Sequence, residues 1–404
     1  MHTPAGIRQA KSEVNLPALR AHRLARLRGE LARLGYGSCV LVDPVNLRYA
    51  TGSRNMQVFM LRNPARYAFV PVEGPVVLFD FDNCEHLSEG LETIDDVRPA
   101  VTLSYVAAGT RLGDEARRWA DEIADLVRSH GGGNRRVAID RPHPAAVAAL
   151  AGQGIEVGDG QEPVEVARSI KSDDELDAIR LSIASTEIAM GRMREALRPG
   201  LTENELWSIL HQTNIELDGE YVETRLLTSG HRTNPWFQEC SAKTIAEGEL
   251  LAFDTDVNAA FGYYADISRT WLVGDVAPTD EQRRLYAHAH AEIEHNLALM
   301  EPGMAFREYA ERAWRIPDEF YANRYFVVAH GVGLSGEYPY IAHARDFDEK
   351  GYDGTIEPGM TFCIESYIGA KGGDEGVKLE EQVLVTEQGV ERLSSYPFES
   401  ALLA

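Results

Sequence analysis

Residues 253–270 read Phe253-Asp254-Thr255-Asp256-Val257-Asn258-Ala259-Ala260-Phe261-Gly262-Tyr263-Tyr264-Ala265-Asp266-Ile267-Ser268-Arg269-Thr270. The pattern is a strand, a turn at Gly262 and a returning strand. Asp254 and Asp256 are two apart, and side chains alternate along a strand, so both are expected on one face. In an antiparallel hairpin Asp266 can converge on the same point from the facing strand. Three carboxylates on one face repel each other, and such an arrangement calls for a cation.

Further along the chain three more residues fit that purpose. His330 lies in Ala-His-Gly-Val-Gly-Leu, Glu365 in Phe-Cys-Ile-Glu-Ser and Glu380 in Val-Lys-Leu-Glu-Glu-Gln-Val. Both glutamates sit in apolar, strand-like runs, where an acid is rarely buried without a partner. A hard, oxygen-rich set with one imidazole suits Fe(II), Mn(II), Co(II) or Zn(II), as two ions sharing carboxylate bridges. Taken singly, each residue has an ordinary structural explanation, and the argument rests on the set. Glu381, beside Glu380, is expected on a solvated face.

The surrounding chain supplies two domains. Its 404 residues exceed one ordinary core. Pro17 to Leu34 has helical leucine spacing and ends at Gly35. Short apolar runs at 39–43, 67–70, 76–80 and 136–140 read as strands, with a helix near 114–130. This mixture predicts an α/β N-terminal domain over 1–163, closed by the Gly- and acid-rich stretch Gly158–Pro163. Residues 164–404 then read as α+β, with helices on an antiparallel sheet. Capping boxes at Ser172–Glu175 and Thr202–Glu205 open two helices. Further helices are expected near 280–300 and 305–319, and strands near 250–256, 266–273, 326–329, 360–366 and 382–386.

Composition narrows the function. With 40 basic and 63 acidic residues the net charge is −23, which disfavours nucleic acid or an anionic membrane as partner. No run of about 18 apolar residues predicts a membrane span. The first fifteen residues lack the apolar core of a secretory signal. Cys39, Cys84, Cys240 and Cys363 form no CxxC pair and read as free thiols of a reducing compartment. The expected location is cytoplasmic.

The motifs together resemble the pita-bread metalloenzyme family of methionine aminopeptidase, aminopeptidase P, prolidase and creatinase. The resemblance rests on Asp256, Asp266-Ile-Ser-Arg-Thr270, His330-Gly-Val-Gly-Leu334, Glu357-Pro-Gly-Met360 with Glu365, and Glu380-Glu-Gln-Val383. It implies a creatinase-like N-terminal domain and a C-terminal domain with helices on a curved antiparallel sheet. Within the family, Glu223-Thr-Arg-Leu-Leu227, Thr233-Asn-Pro-Trp-Phe-Gln-Glu-Cys240 and Tyr396-Pro-Phe-Glu-Ser-Ala-Leu402 resemble the dimethylsulfoniopropionate lyase branch. That likeness implies two metal ions (iron foremost), Asp254 as a further metal ligand, and a homodimer. It also implies a small cationic or zwitterionic substrate, with Tyr325, Phe59 and Trp236 around the cation. Phe59 stands where the lyases carry a pocket tryptophan, and Gly336 where they carry the aspartate that serves as base. Glu337 is the nearest replacement base, with an unliganded cluster carboxylate, Asp254 above all, as the second choice. The peptidase branch carries two further histidines, at places that fall near Phe237 and at Glu337. Three functions stay open. One is a lyase acting on an onium carboxylate. The second is a metal hydrolase of amide or amidine bonds, in which His231 or Glu337 takes the histidines' part. The third is a non-catalytic binding protein.

Overall fold

The computed structural model describes residues 3–404. The chain folds into two compact units, Asn15–Arg168, and Ser169–Ala404 together with residues 3–14. The first unit is built on a six-stranded sheet of β1 (Ser38–Leu41), β2 (Tyr67–Pro71), β3 (Val77–Asp80), β4 (Asp96–Pro99), β5 (Arg136–Ile139) and β6 (Glu156–Asp159). The strand order is β4-β3-β2-β1-β5-β6. β1, β5 and β6 run parallel, and β2 is antiparallel to both neighbours. The helix Leu112–His130 buries Trp119, Ile123 and Val127 against Val40, Phe69, Phe79 and Ile139.

The stretch Gly158–Pro163, read as a boundary, is the end of β6 and the start of the helix Gln161–Ser169. Its glycines answer to packing rather than to flexibility. A Cβ on Gly158 would run into the Tyr36 ring. The units divide five residues later, after Arg168.

The second unit opens with the helices Asp173–Ala196 and Glu203–Glu216, and both expected capping boxes are formed in full. Strands β7 (Leu227–Ser229), β8 (Leu250–Asp254) and β9 (Ser268–Leu272) make one small antiparallel sheet. β10 (Ala329–Val332), β11 (Gly336–Ile341), β12 (Thr361–Ile368), β13 (Val377–Thr386) and β14 (Gly389–Arg392) make a five-stranded antiparallel sheet in the order β11-β10-β12-β13-β14. The helix Asp280–Leu299 buries Leu285, Tyr286 and Ile293 in one core with Phe362, Ile364 and Val383 of that sheet. The helix expected over 305–319 is two short ones, Phe306–Arg312 and Asp318–Tyr321. Pro317 caps the second of them, and its ring cannot continue the first.

Candidate metal centre

Strands β12 and β13 pair in register, Cys363 opposite Gln382, Glu365 opposite Glu380 and Tyr367 opposite Lys378. Alternation sends these six side chains to one face and Ile364 and Glu381 to the other. His330 on β10 pairs with Cys363 on one side and Tyr340 on the other, so it joins the same face. Asp254, the last residue of β8, lies opposite Ser268. Asp256 is not on a continuing strand. It takes a left-handed conformation, φ 40°, and its carboxylate accepts from the Thr224 hydroxyl. The Asp266 amide donates to Gln382 Oε1 at 3.1 Å, which fixes the start of the returning strand.

These elements bring the expected ligands together. Ligand atoms of Asp254, Asp256 and Asp266 lie within 4.8 Å of one another, as do those of Asp266, His330, Cys363 and Glu380. Asp266 is common to both groups. His330 Nε2 is 3.3 Å from Glu365 Oε1, 3.7 Å from Glu380 Oε1 and 3.8 Å from Asp266 Oδ2. His330 Nδ1 lies 2.9 Å from the Gly331 carbonyl. A proton on Nδ1 donates there and leaves the Nε2 lone pair aimed at the acids, as a metal ligand requires.

Lys378 was not singled out from the sequence, although it stands two residues before Glu380 on the same strand face. It is fully buried. Its ammonium lies 2.6 Å from Ser268 Oγ, 2.7 Å from Glu365 Oε2, 3.2 Å from Glu380 Oε2 and 3.3 Å from Asp254 Oδ2. Three carboxylates are thereby split. One oxygen of each turns to the lysine, while Asp254 Oδ1, Glu365 Oε1 and Glu380 Oε1 are buried with no hydrogen-bond partner, as is Asp266 Oδ1. A buried acceptor left this way is costly. Four of them beside one imidazole nitrogen fit hard divalent cations.

Electrostatics agree with that fit. Burial, and then the neighbouring Asp254 charge, push Asp256 up to about 8. Burial and the surrounding acids raise Asp266 and Glu380 well above the usual carboxylate range. Burial acts on Asp254 too, but the Lys378 ammonium and nearby hydrogen bonds outweigh it and hold that carboxyl below its ordinary value.

The expected pocket residues divide. Tyr325 and Trp236 are buried, with ring centroids 4.7 and 5.9 Å from the Lys378 nitrogen. His231 is exposed on the turn Gly230–Thr233. The loop from Ser229 to Ser241 that carries it is gathered by Glu203. Glu203 accepts from the Ser229 amide at 2.9 Å, the Ser241 amide at 3.0 Å and the Ser241 hydroxyl at 2.7 Å. Phe59 belongs to the N-terminal unit, on the short helix Gln57–Arg62, and is half exposed.

Two expectations need correction. Glu337, read as the base, is buried and its carboxylate is 2.5 Å from the buried Lys171 ammonium. A bulge between His330 and Gly331 pairs Gly331 with Glu337. The Cβ direction at Gly336 points toward the His330 ring at 4.0 Å, so the next side chain leaves from the opposite face. Gly331 must be glycine here, because a Cβ would strike the Tyr338 carbonyl. Glu381, expected in solvent, is also buried and pairs with Arg269 at 2.5 Å. The far face of β13 is covered, so a charge there needs its own partner.

Fold and site define a metalloenzyme of the pita-bread type. Residues 177–387 match the metallopeptidase family M24, and residues 23–170 match the creatinase/prolidase N-terminal domain. The chain belongs to the M24 family. It is 40% identical to the dimethylsulfoniopropionate lyase DddP of Roseovarius nubinhibens over 394 residues, 96% of this chain and 88% of the relative. The lyase of the same name from Roseobacter denitrificans is 38% identical over the same shares. The Xaa-Pro dipeptidase of Bacillus anthracis shares the fold, with a TM-score of 0.74 at 21% identity over 94% of this chain and 99% of that one. Among the described residues no helix is long and apolar enough to cross a membrane.

Proposed function

We propose that this chain is a metal-dependent lyase that eliminates dimethyl sulfide, or a related onium leaving group, from a small onium carboxylate. One observation carries the reading. The side chains of Asp254, Asp256, Asp266, His330, Glu365 and Glu380 converge, while the two places that hold further histidines in the peptidases are near Phe237 and at Glu337. Peptide hydrolysis without those imidazoles lacks the groups that shuttle protons and stabilise its tetrahedral intermediate. The identity of about 40% to lyases over nearly the whole chain supports the same reading.

Divalent ions held by Asp256, Asp266, His330, Glu365 and Glu380, two of them and iron foremost, would bind the substrate carboxylate and acidify the adjacent C–H bond as Lewis acids, with Asp254 left unliganded. The protein's own groups do the rest. Asp254, kept ionised beside Lys378, accepts the proton from the carbon next to the carboxylate. The C–H electrons form the double bond, and the C–S bond breaks with its pair going to sulfur. A neutral sulfide and an unsaturated acid result. Tyr325 and Trp236 border the site with ring faces and keep water from it. His231 is proposed as a polar group of the loop. We infer a homodimer from the same relatives.

The test is headspace detection of dimethyl sulfide, with an acrylate assay, on iron-reconstituted protein given dimethylsulfoniopropionate. Asp266→Ala should lose metal and activity together. Asp254→Asn should keep most of the metal and lose elimination by about a hundredfold or more, the range for a general base. No release from protein shown to contain metal would reject this substrate and favour C–N hydrolysis of betaine-like or peptide-like molecules. No turnover of any of these would favour a binding protein.

A further inference from the structure

Three large aromatic side chains stand in water beside this centre. Phe237 is 52% exposed, Phe326 48% and Tyr340 40%. They are contiguous. The Phe326 centroid is 6.1 Å from that of Phe237, 5.8 Å from Tyr340 and 4.8 Å from Tyr325, and Phe237 is 5.3 Å from Tyr325. The inner end of this wall meets the metal centre twice. Tyr340, cross-strand partner of His330, has its ring 5.5 Å from the imidazole. Tyr325 already receives a cation, the Lys378 ammonium, 4.7 Å from its ring centre.

The backbone invests in this display. Phe237 has φ 71°, a conformation that a bulky residue adopts only when its surroundings impose it. The clamp on its loop is the Glu203 carboxylate, which binds Ser229 before it and Ser241 after it. Phe237 and Phe326 carry no hydrogen-bonding side-chain atom, so whatever they meet is recognised by ring faces. A ring face attracts a cation through its quadrupole, and a methylated onium group has no N–H to satisfy.

We propose that Phe237, Phe326 and Tyr340 form an outer wall that takes the onium head of the substrate. It selects permanently charged, methylated cations over neutral groups of the same shape. This inference rests on the onium-carboxylate reading above and names three of the residues that enforce it. The substrate then lies with its carboxylate at the ligand cluster and its cationic head toward the rim.

The experiment is calorimetric binding to metal-reconstituted protein, so turnover is not the readout. The probes are 3-(trimethylammonio)propanoate and the carbon isostere with a neutral head, 4,4-dimethylpentanoate. The wild-type protein should prefer the cation by about tenfold or more. Phe326→Leu and Tyr340→Leu keep apolar bulk but lose the ring, and each should reduce that preference roughly threefold. Phe237→Leu should act in the same direction. A wild-type preference near one overturns the wall, as does a preference unchanged in all three variants. If no sulfide is released but the preference falls in the variants, the wall stands and only the reaction is revised. Sulfide release with an unaltered preference removes the wall alone.

Discussion

Glu292 should be a neutral acid at neutral pH, and replacing it with glutamine should stabilise the protein. It lies on the helix Asp280–Leu299, 1% exposed, and its carboxyl accepts from the Ser366 hydroxyl at 2.7 Å. Ser366 adjoins Glu365 from the far face of β12. Burial, set against the Ser366 hydrogen bond and helped by the Glu365 charge, pushes Glu292 from an ordinary 4.5 up to about 8. The folded state therefore holds a proton that the unfolded chain releases near pH 4.5. The contribution of Glu292 is fullest below that pH, declines as pH rises and levels off above about 8. At pH 7 the retained proton costs about 3 kcal/mol. Glutamine has the same shape, needs no proton and can still accept from Ser366. Glu292→Gln should raise the unfolding midpoint by roughly 6–12 °C at pH 7 for a unit of this size. Near pH 5 the gain should nearly vanish, and at pH 8.5 it should be largest. The assay is thermal unfolding of both proteins at those three pH values. A gain that does not grow with pH, or a loss at pH 8.5, would refute the protonated carboxyl.

Other outcomes follow from the same geometry. His343 is buried against the Tyr325 carbonyl, and burial lowers it to about 4. Stability should be full above about pH 6.5 and fall by up to about 3 kcal/mol toward pH 4, a slope that His343→Gln should flatten in denaturant titrations. At Gly336 a Cβ would have only Tyr340 Oη within 3.5 Å and the His330 ring at 4.0 Å, so the first atom of an Asp side chain is accommodated and points toward the centre. Gly336→Asp would place a carboxylate at the position where the resemblance implies a base, and should speed sulfide release about tenfold or more, the lower part of what a positioned base contributes. An unchanged rate would show that the missing carboxylate does not limit the reaction. Asp256, raised to about 8, should give up a proton when divalent metal binds. Metal affinity should therefore climb between pH 6 and 8, with buffer-dependent heats in calorimetry.

The candidate ligands are more legible in the sequence than their neighbours. Asp254, Glu365 and Glu380 are acids inside apolar strands, and Asp266 lies between two of them, a combination that has few explanations besides a cation. Asp256 does not reach the cluster by strand alternation, since the strand ends at Asp254 and a left-handed residue turns the carboxylate inward. Glu337 leaves from the opposite face for a similar reason. The bulge after His330 is set by the contact of Gly331 with the Tyr338 carbonyl, which spacing does not reveal. Glu381 and Lys378 both needed knowledge of what covers each face of β13. Alternation places Lys378 with Glu380, but only the packed structure says that this face is closed to water. The units divide five residues past Pro163 rather than within the Gly158–Pro163 stretch, because glycine serves close packing as readily as flexibility.

The buried lysine also bears on how such a centre comes to be filled. Many metal sites are made of like charges that can be gathered only around the ion, so the chain folds when the ion arrives. Here Lys378 supplies a covalently attached positive charge that holds one oxygen from each of three acids. The sheet can close on that internal counter-ion and leave the remaining oxygens aimed at a common space. Folding of the unit would then not have to wait for metal. Starvation for metal would yield a stock of shaped, inactive protein that later supply can switch on without new synthesis.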